Sequence, residues 1–173
     1  MDIKKLIRDV PDFPIKGIVF KDITTLIKNA EGFDYTLDKL YNLCNNKGIT
    51  KVVGIESRGF IFGGALAHKL GAGFVPIRKP GKLPADTIKF TYELEYGSDS
   101  IEIHKDALDK NDKVLLHDDL LATGGTMEAA CNLVEKLGAR IELISFVIEL
   151  DFLKGREKLK NYQVHSLIHY DSE

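Results

Sequence analysis

The sequence predicts an α/β fold in which helices flank a parallel β-sheet. Four short apolar runs rich in β-branched residues are typical of buried strands, and helical patterns alternate with them along the chain. The predicted strands are Lys51–Ile55, Gly73–Ile77, Lys113–His117 and Ile141–Ile148. Because the 173 residues contain no repeat, low-complexity segment or linker, we expect residues 1–173 to form a single domain.

Three helices are predicted between these strands. They cover about Phe33–Asn45, Phe60–Leu70 and Thr126–Leu137. The second and third are each followed by a glycine, Gly71 or Gly138, which is the residue type that most often ends a helix.

A hairpin interrupts this alternation. Two strand-like segments, Thr87–Tyr96 and Ser100–His104, flank the predicted turn Gly97-Ser98-Asp99. Ligands of open α/β sheets bind beyond the carboxyl ends of the strands. The hairpin is therefore either a lid over that edge or an additional edge ribbon, and its own residues do not decide between the two.

Composition excludes several classes of protein. The chain is 44% hydrophobic and 29% charged with a net charge of −2, which does not indicate a nucleic-acid-binding surface. The first residues do not resemble a signal peptide, and no apolar run approaches the ~18 residues of a membrane span. Cys44 and Cys131 match no metal or redox spacing, so we expect free thiols and a cytoplasmic protein.

The most informative motif is Asp118–Thr126, DDLLATGGT, between a buried strand and a helix. Backbone amides at a helix N-terminus bind phosphate, Gly124 and Gly125 permit its close approach, and threonine hydroxyls add donors. Asp118 and Asp119 instead repel phosphate and accept hydrogen bonds, as the vicinal hydroxyls of a ribose require. The motif therefore favours a sugar that carries one phosphate.

Competing phosphate motifs do not match. The only Gly-Lys pair in a plausible loop, Gly81-Lys82, has Pro76 where a P-loop requires glycine. The dinucleotide fingerprint also fails, because Gly71-Ala72-Gly73 continues to Pro76. An acidic turn that merely caps the helix remains the structural alternative, but it does not require two adjacent aspartates.

The Asp118–Thr126 motif resembles the site for 5-phosphoribosyl 1-pyrophosphate (PRPP) in type I phosphoribosyltransferases, and its full form resembles the adenine-specific branch. The similarity extends from Pro11 almost to the C-terminus. It implies the type I phosphoribosyltransferase fold, with an N-terminal hood, a projecting hairpin lid and the formation of AMP and pyrophosphate from adenine and PRPP. It assigns the ribose and its phosphate to Asp118, Asp119, Ala122, Thr123, Gly124, Gly125 and Thr126.

The resemblance also implies a pyrophosphate subsite. Arg58 follows the strand Lys51–Ile55, where its guanidinium can grip an anion. The residues implied at this subsite are Ser57, Arg58, Arg78, Lys79 and Lys82, often with a non-proline cis peptide bond before Ser57. Mg²⁺ is implied by the substrate, held mainly by PRPP and water rather than by direct protein ligands.

The base subsite is likewise implied by resemblance. Phe20 would stack on adenine, the backbones of Val19 and Lys21 would read its amino edge, and Glu95 on the hairpin would act as the catalytic group beside the purine imidazole ring. Lys21 and His117 depart from the family, which usually has an arginine and an aliphatic residue there. Members are typically homodimers.

Two other functions stay open. The chain could be a phosphoribosyltransferase for hypoxanthine or xanthine, which carry a 6-oxo acceptor where adenine has an amino donor. It could also be a regulator that binds PRPP without catalysis. Such regulators carry an added DNA-binding domain, for which this chain has no residues to spare.

Overall fold

The computed structural model describes residues 1–94 and 97–172. Within these residues the strands are β1 (Arg8–Pro11), β2 (Val19–Asp22), β3 (Lys51–Ile55), β4 (Gly73–Ile77), β5 (Thr87–Glu93), β6 (Ser98–His104), β7 (Lys113–Leu121), β8 (Arg140–Leu150) and β9 (Val164–Tyr170). The helices are α1 (Thr24–Ile27), α2 (Ala30–Asn42), α3 (Gly59–Leu70) and α4 (Gly125–Lys136), and short 3₁₀ segments cover Ile3–Leu6, Asp151–Leu153 and Gly155–Leu159.

The central sheet is parallel, as predicted, and has the order β4-β3-β7-β8-β9. The four predicted strands are confirmed, but β7 continues past His117 to Leu121. Asp118 therefore lies within a strand, paired with Phe146 of β8, and not in the loop that follows it. Strand β9 was missed because His165, Ser166 and His169 interrupt its apolar pattern.

Helices cover both faces of the sheet. Adjacent residues of β3 enter different cores, with Val53 in the cluster that contains α4 and Val52 in the cluster beside α2 and α3. This division follows from the alternation of side chains along a strand. Cys44 and Cys131 are free and buried, as expected, and no described helix is long and apolar enough to cross a membrane.

The helix boundaries follow their caps. Helix α2 begins three residues before the predicted start, because the Asn29 side chain accepts a hydrogen bond from the Gly32 N–H at 2.8 Å. Helix α3 ends at Gly71, whose φ of +64° is the left-handed conformation expected of a glycine cap.

Two small antiparallel sheets complete the described structure. The predicted hairpin is confirmed as β5 and β6, but β6 begins at Ser98, so Ser98 and Asp99 pair with β5 and do not lie in the turn. Ile101 and Ile103 of β6 are buried in the core beside α4. The hairpin base is therefore part of the packed core. The N-terminal segment contains the β1–β2 ribbon, which was not among the predicted strands.

Candidate active site

The loops predicted to bind PRPP follow three neighbouring strands of the sheet. Ser57 and Arg58 come after β3, Arg78 and Lys79 after β4, and the Asp118–Thr126 motif lies on and after β7. Because β3 lies between β4 and β7, these segments meet at the carboxyl edge of the sheet. The Glu56–Ser57 peptide bond is cis, as the resemblance implied.

The aspartate pair lies at the centre of this edge. Asp118 is half-buried, and its Oδ1 accepts a hydrogen bond from the Asp119 backbone N–H at 2.8 Å. Burial and the neighbouring Asp119 carboxylate raise the pKa of Asp118 well above its ordinary value. A Cβ on Gly59 would lie only 2.8 Å from Asp118 Oδ1, so the first residue of α3 must be small. The protein thus holds two carboxylates together but compensates the negative charge of only one of them well.

The first turn of α4 forms a cradle beside the aspartates. A cavity of about 90 Å³ is lined by Asp118, the loop Ala122–Gly124 and the first helical residues Gly125 and Thr126. Gly124 has a φ of +83°, and a Cβ there would lie 2.5 Å from the Gly155 carbonyl oxygen. The cradle therefore requires glycine at this position for both its backbone angle and its packing. Its unpaired helix amides are suited to a phosphate.

Arg58 connects the aspartates to the aromatic hood. Its Nε donates to the Asp119 carboxylate, and its guanidinium lies 5.2 Å from the centroid of the Phe20 ring. The side chain is 42% exposed, so donors remain for an anion on its open side. The sequence did not predict that Arg58 would pair with a member of the ribose-binding motif.

A second cavity, of about 320 Å³, lies between the hood and Arg58. Phe20 and Phe13 form an edge-to-face pair in its wall with ring centroids 5.3 Å apart. Among the described residues, β2 pairs with β1 alone. The backbone groups on the opposite edge of β2 are therefore open to a ligand. The cavity is lined by Val10, Phe13, Phe20, Asp22, Thr24 and Arg58. Its size and aromatic wall suit a planar base.

The basic cluster after β4 is held by carboxylates. Arg78 Nε donates to Glu56 Oε2 at 2.8 Å, and Lys79 pairs with Asp99 of the hairpin. Lys82 differs, because its side chain is exposed and, among the described residues, its recorded hydrogen bond is from its backbone N–H to the Lys79 carbonyl. The structure therefore brings Arg78 and Lys79 into the network around the site but leaves Lys82 at its margin.

Sequence and structure comparisons identify the family. The model of the phosphoribosyl transferase domain matches residues 26–169. An adenine phosphoribosyltransferase of Koribacter versatilis is 59% identical over 169 residues, which are 98% of this chain and 93% of that protein. The chain belongs to the adenine phosphoribosyltransferase family.

Solved structures of adenine phosphoribosyltransferases have the same fold. The one from Thermoanaerobacter pseudethanolicus is 52% identical, with a TM-score of 0.95 over 98% of both chains. The one from Saccharomyces cerevisiae, in complex with D-2,5-dideoxy-2,5-imino-altritol 1,6-bisphosphate and adenine, is 45% identical, with a TM-score of 0.91 over 96% of both chains. The type I phosphoribosyltransferase fold expected from the sequence is confirmed.

The two departures from the family acquire physical explanations. Lys21 turns its ammonium away from the base cavity, 3.0 Å from Asp9 Oδ1 and 4.4 Å from the Tyr170 ring centroid. Its side chain is 4% exposed, so its ammonium cannot reach a ligand in the base cavity. His117 is a core residue whose Nδ1 lies 2.9 Å from Ser145 Oγ, and burial lowers the pKa of His117 to about 3. It stays neutral at physiological pH and can serve only as a packing group.

Glu95 lies outside the residues that the structure describes, so its catalytic role in this phosphoribosyltransferase stays a prediction. The sequence also missed contributors that the fold supplies. Gly155, in the segment after β8, packs directly against the phosphate cradle, and Val10 and Asp22 line the base cavity. No local pattern marks these residues, because their importance comes from distant parts of the chain.

Proposed function

We propose that this chain transfers the 5-phosphoribosyl group of PRPP to N9 of adenine, with AMP and pyrophosphate as products. The observation that carries the proposal is the arrangement of three adjacent subsites. A helix N-terminus with Gly124 and Gly125 lies beside two aspartates, and Arg58 connects these aspartates to an aromatic cavity. A nucleoside monophosphate has phosphate, ribose and base in this order.

Each subsite has a distinct part in the reaction. The 5′-phosphate binds to the cradle formed by Ala122–Thr126, and Asp118 and Asp119 accept hydrogen bonds from the ribose hydroxyls. This holds the anomeric carbon in a fixed position between base and leaving group, which lowers the entropic cost of the transfer. Arg58, Arg78 and Lys79 stabilise the negative charge that grows on pyrophosphate as its bond to the anomeric carbon breaks, with Ser57 and Lys82 at the same end.

The hood selects the base. Phe20 stacks on adenine, while the backbone groups of Val19 and Lys21 pair with its amino edge. Adenine offers a donor next to an acceptor, and a strand edge presents the complementary pair. The buried position of the Lys21 side chain supports recognition through the backbone alone. The adenine bound in the Saccharomyces cerevisiae structure supports the same choice of base.

A divalent cation is part of the proposal, because PRPP and pyrophosphate carry several negative charges. One oxygen of each aspartate is already engaged, Asp119 Oδ2 by Arg58 and Asp118 Oδ1 by a backbone N–H, and the other oxygens are assigned to the ribose hydroxyls. This donor set fits Mg²⁺ that is held mainly by PRPP and water, with Asp118 and Asp119 nearby. When bound, Mg²⁺ supplies charge neutralisation at the leaving pyrophosphate.

A cytoplasmic homodimer is the assembly that we propose. Phe74 of β4 and Ile61 of α3 are 36% and 39% exposed, and β4 is one of the two edge strands of the central sheet. These exposed apolar side chains support burial of this edge against a second copy. Light scattering should then give twice the 19.3 kDa of one chain, and a monomeric mass would contradict the proposal.

Steady-state kinetics with adenine, hypoxanthine and xanthine test the activity. We expect kcat/KM for adenine to exceed the other two values by ~100-fold or more, because a 6-oxo group places an acceptor against the acceptor of the strand edge. Comparable values for hypoxanthine would show that the chain serves another purine. PRPP binding without turnover of any base would instead identify a non-catalytic regulator.

A further inference from the structure

The hairpin contacts the phosphate cradle through one tyrosine. Tyr92 of β5 lies opposite Asp99 of β6 in the hairpin register. Its Oη is 2.9 Å from Thr126 Oγ1 in the first turn of α4 and 3.3 Å from Asp99 Oδ2. The Tyr92 ring also contacts the cradle, since a Cβ on Gly125 would lie 3.5 Å from its Cδ2.

The chemistry of these groups sets the direction of the shorter hydrogen bond when a phosphate is bound. Phosphate oxygens accept hydrogen bonds, so the Thr126 hydroxyl must donate to a phosphate in the cradle. Thr126 Oγ1 can then only accept from Tyr92. The single O–H proton of Tyr92 must therefore turn from Asp99 Oδ2, at 3.3 Å, to the nearer Thr126 Oγ1, at 2.9 Å. A threonine hydroxyl rotates freely unless it has a second partner, and Tyr92 supplies that partner.

We propose that Tyr92 is a positioning residue for the 5′-phosphate of PRPP, acting through the hydroxyl of Thr126. The inference rests on the proposed function, because it requires the cradle to bind that phosphate. It assigns a role in substrate binding to the Tyr92–Asp99 pair, which is the second pair from the turn of the hairpin. Tyr92 contacts the cradle and not the reacting atoms, so it should affect affinity more than turnover.

Tyr92→Phe tests this role, because it removes the hydroxyl and keeps the ring that packs on Gly125. One neutral hydrogen bond corresponds to roughly a threefold to tenfold change in a binding constant. We expect this weakening in calorimetry with PRPP and with ribose 5-phosphate, and no change with pyrophosphate, which lacks the 5′-phosphate. The KM for adenine and kcat should stay within about twofold of the original enzyme.

Tyr162→Phe is the matched control. Tyr162 donates a hydrogen bond to Glu135 at 2.7 Å. Glu135 lies at the C-terminal end of α4, whereas the cradle lies at its N-terminal end. It should leave ribose 5-phosphate affinity unchanged. Equal effects of the two variants would show that the Tyr92 hydroxyl merely stabilises α4, and this result would overturn the proposal.

A double-mutant cycle with Thr126→Val tests the route of the effect. If Tyr92 acts through Thr126, Tyr92→Phe should cause no further loss of ribose 5-phosphate affinity once the Thr126 hydroxyl is absent. Losses of ribose 5-phosphate affinity that multiply in the double variant would overturn the proposal. A loss of pyrophosphate affinity as large as the loss of ribose 5-phosphate affinity would also overturn it, because it would indicate a route through Asp99 and Lys79. Ribose 5-phosphate binding needs neither adenine nor turnover, so inactivity with adenine would count against the proposed function alone.

Discussion

The pKa values of two carboxyl groups on neighbouring strands are shifted in opposite directions. Asp118 of β7 lies beside a second carboxylate, and burial together with that neighbour raises the pKa of Asp118. Glu149 of β8, paired in the sheet with Leu121 of β7, is also buried. Burial alone would raise the pKa of Glu149, but hydrogen bonds from the Arg156 guanidinium and the Ser166 hydroxyl lower it.

The difference lies in how many partners the protein itself supplies. Arg156 donates to both oxygens of Glu149, and Ser166 Oγ donates to Oε2 at 2.6 Å. Asp151 and His169 lie close enough to Glu149 to suggest a metal site, but its oxygens are already satisfied. Glu149 is therefore a structural carboxylate, whereas the aspartate pair keeps acceptor capacity for a ligand.

The two regions are also mechanically connected. Arg156, which neutralises Glu149, follows Gly155, and Gly155 packs against the backbone of the phosphate cradle. The structural ion pair therefore holds the segment on which the binding loop rests. The uncompensated carboxylate thus belongs to the binding site, and the compensated carboxylate belongs to the segment that supports it.

Asp118→Asn should have the largest effect. Loss of the ionised acceptor should lower kcat/KM by about 100-fold, since hydrogen bonds to charged groups are worth about 1.5–3 kcal/mol each. Removal of the repulsion from Asp119 should at the same time raise the thermal midpoint of the unliganded protein, by about 2–4 °C if ~1 kcal/mol is gained. Kinetics and calorimetric melting measure the two effects, and a loss of both activity and stability would contradict the contrast.

Gly155→Ala should weaken PRPP binding by about tenfold to 100-fold. Its Cβ would lie 2.2 Å from the Ala122 carbonyl oxygen, so the backbone of the cradle must shift, and small displacements of a site are costly. Gly64→Ala is the matched control, because a Cβ at Gly64 meets nothing within 4 Å. Unchanged PRPP affinity in Gly155→Ala, measured by calorimetry, would show that this packing does not support the site.

Arg156→Ala should reduce the free energy of unfolding by about 1–3 kcal/mol, less than for a fully buried pair because the Arg156 side chain is 43% exposed. Lys105→Ala serves as control, since Lys105 also pairs with an acidic residue, Asp86, but both side chains are exposed, 58% and 90%, so no measurable change is expected. Urea unfolding gives both values. Equal stability of the two variants would mean that Glu149 does not need its partner.

The pH dependence of stability should have opposite signs at the two sites. The lowered pKa of Glu149 contributes stability above its ordinary value of 4.5, and this stability is lost as the pH falls through the lowered pKa. The raised pKa of Asp118 does the reverse, because its contribution is lost as the pH rises above 3.8. Urea unfolding of Glu149→Gln and Asp118→Asn between pH 3 and 8, relative to the original chain, should show opposite slopes, and slopes of equal sign would contradict the comparison.

The sequence by itself determined the alternating α/β order, the strands β3, β4, β7 and β8, and the motifs that follow them. Local signals suffice there, since apolar runs report buried strands, Gly71 ends α3, and a strand followed by DDLLATGGT has few other uses. The structure places the predicted residues after β3, β4 and β7 at one edge because parallel strands share a direction.

Only the tertiary structure decided the partners of these residues. The pairing of Arg58 with Asp119, the contact of Gly155 with the cradle and the contact of Tyr92 with Thr126 join segments 31 or more residues apart. The partly polar strand β9 and the ribbon β1–β2 likewise become strands through their neighbours. Charge compensation and packing depend on distances across the fold, and no local pattern encodes them, so Asp118 and Glu149 are both simply acidic residues until the chain has folded.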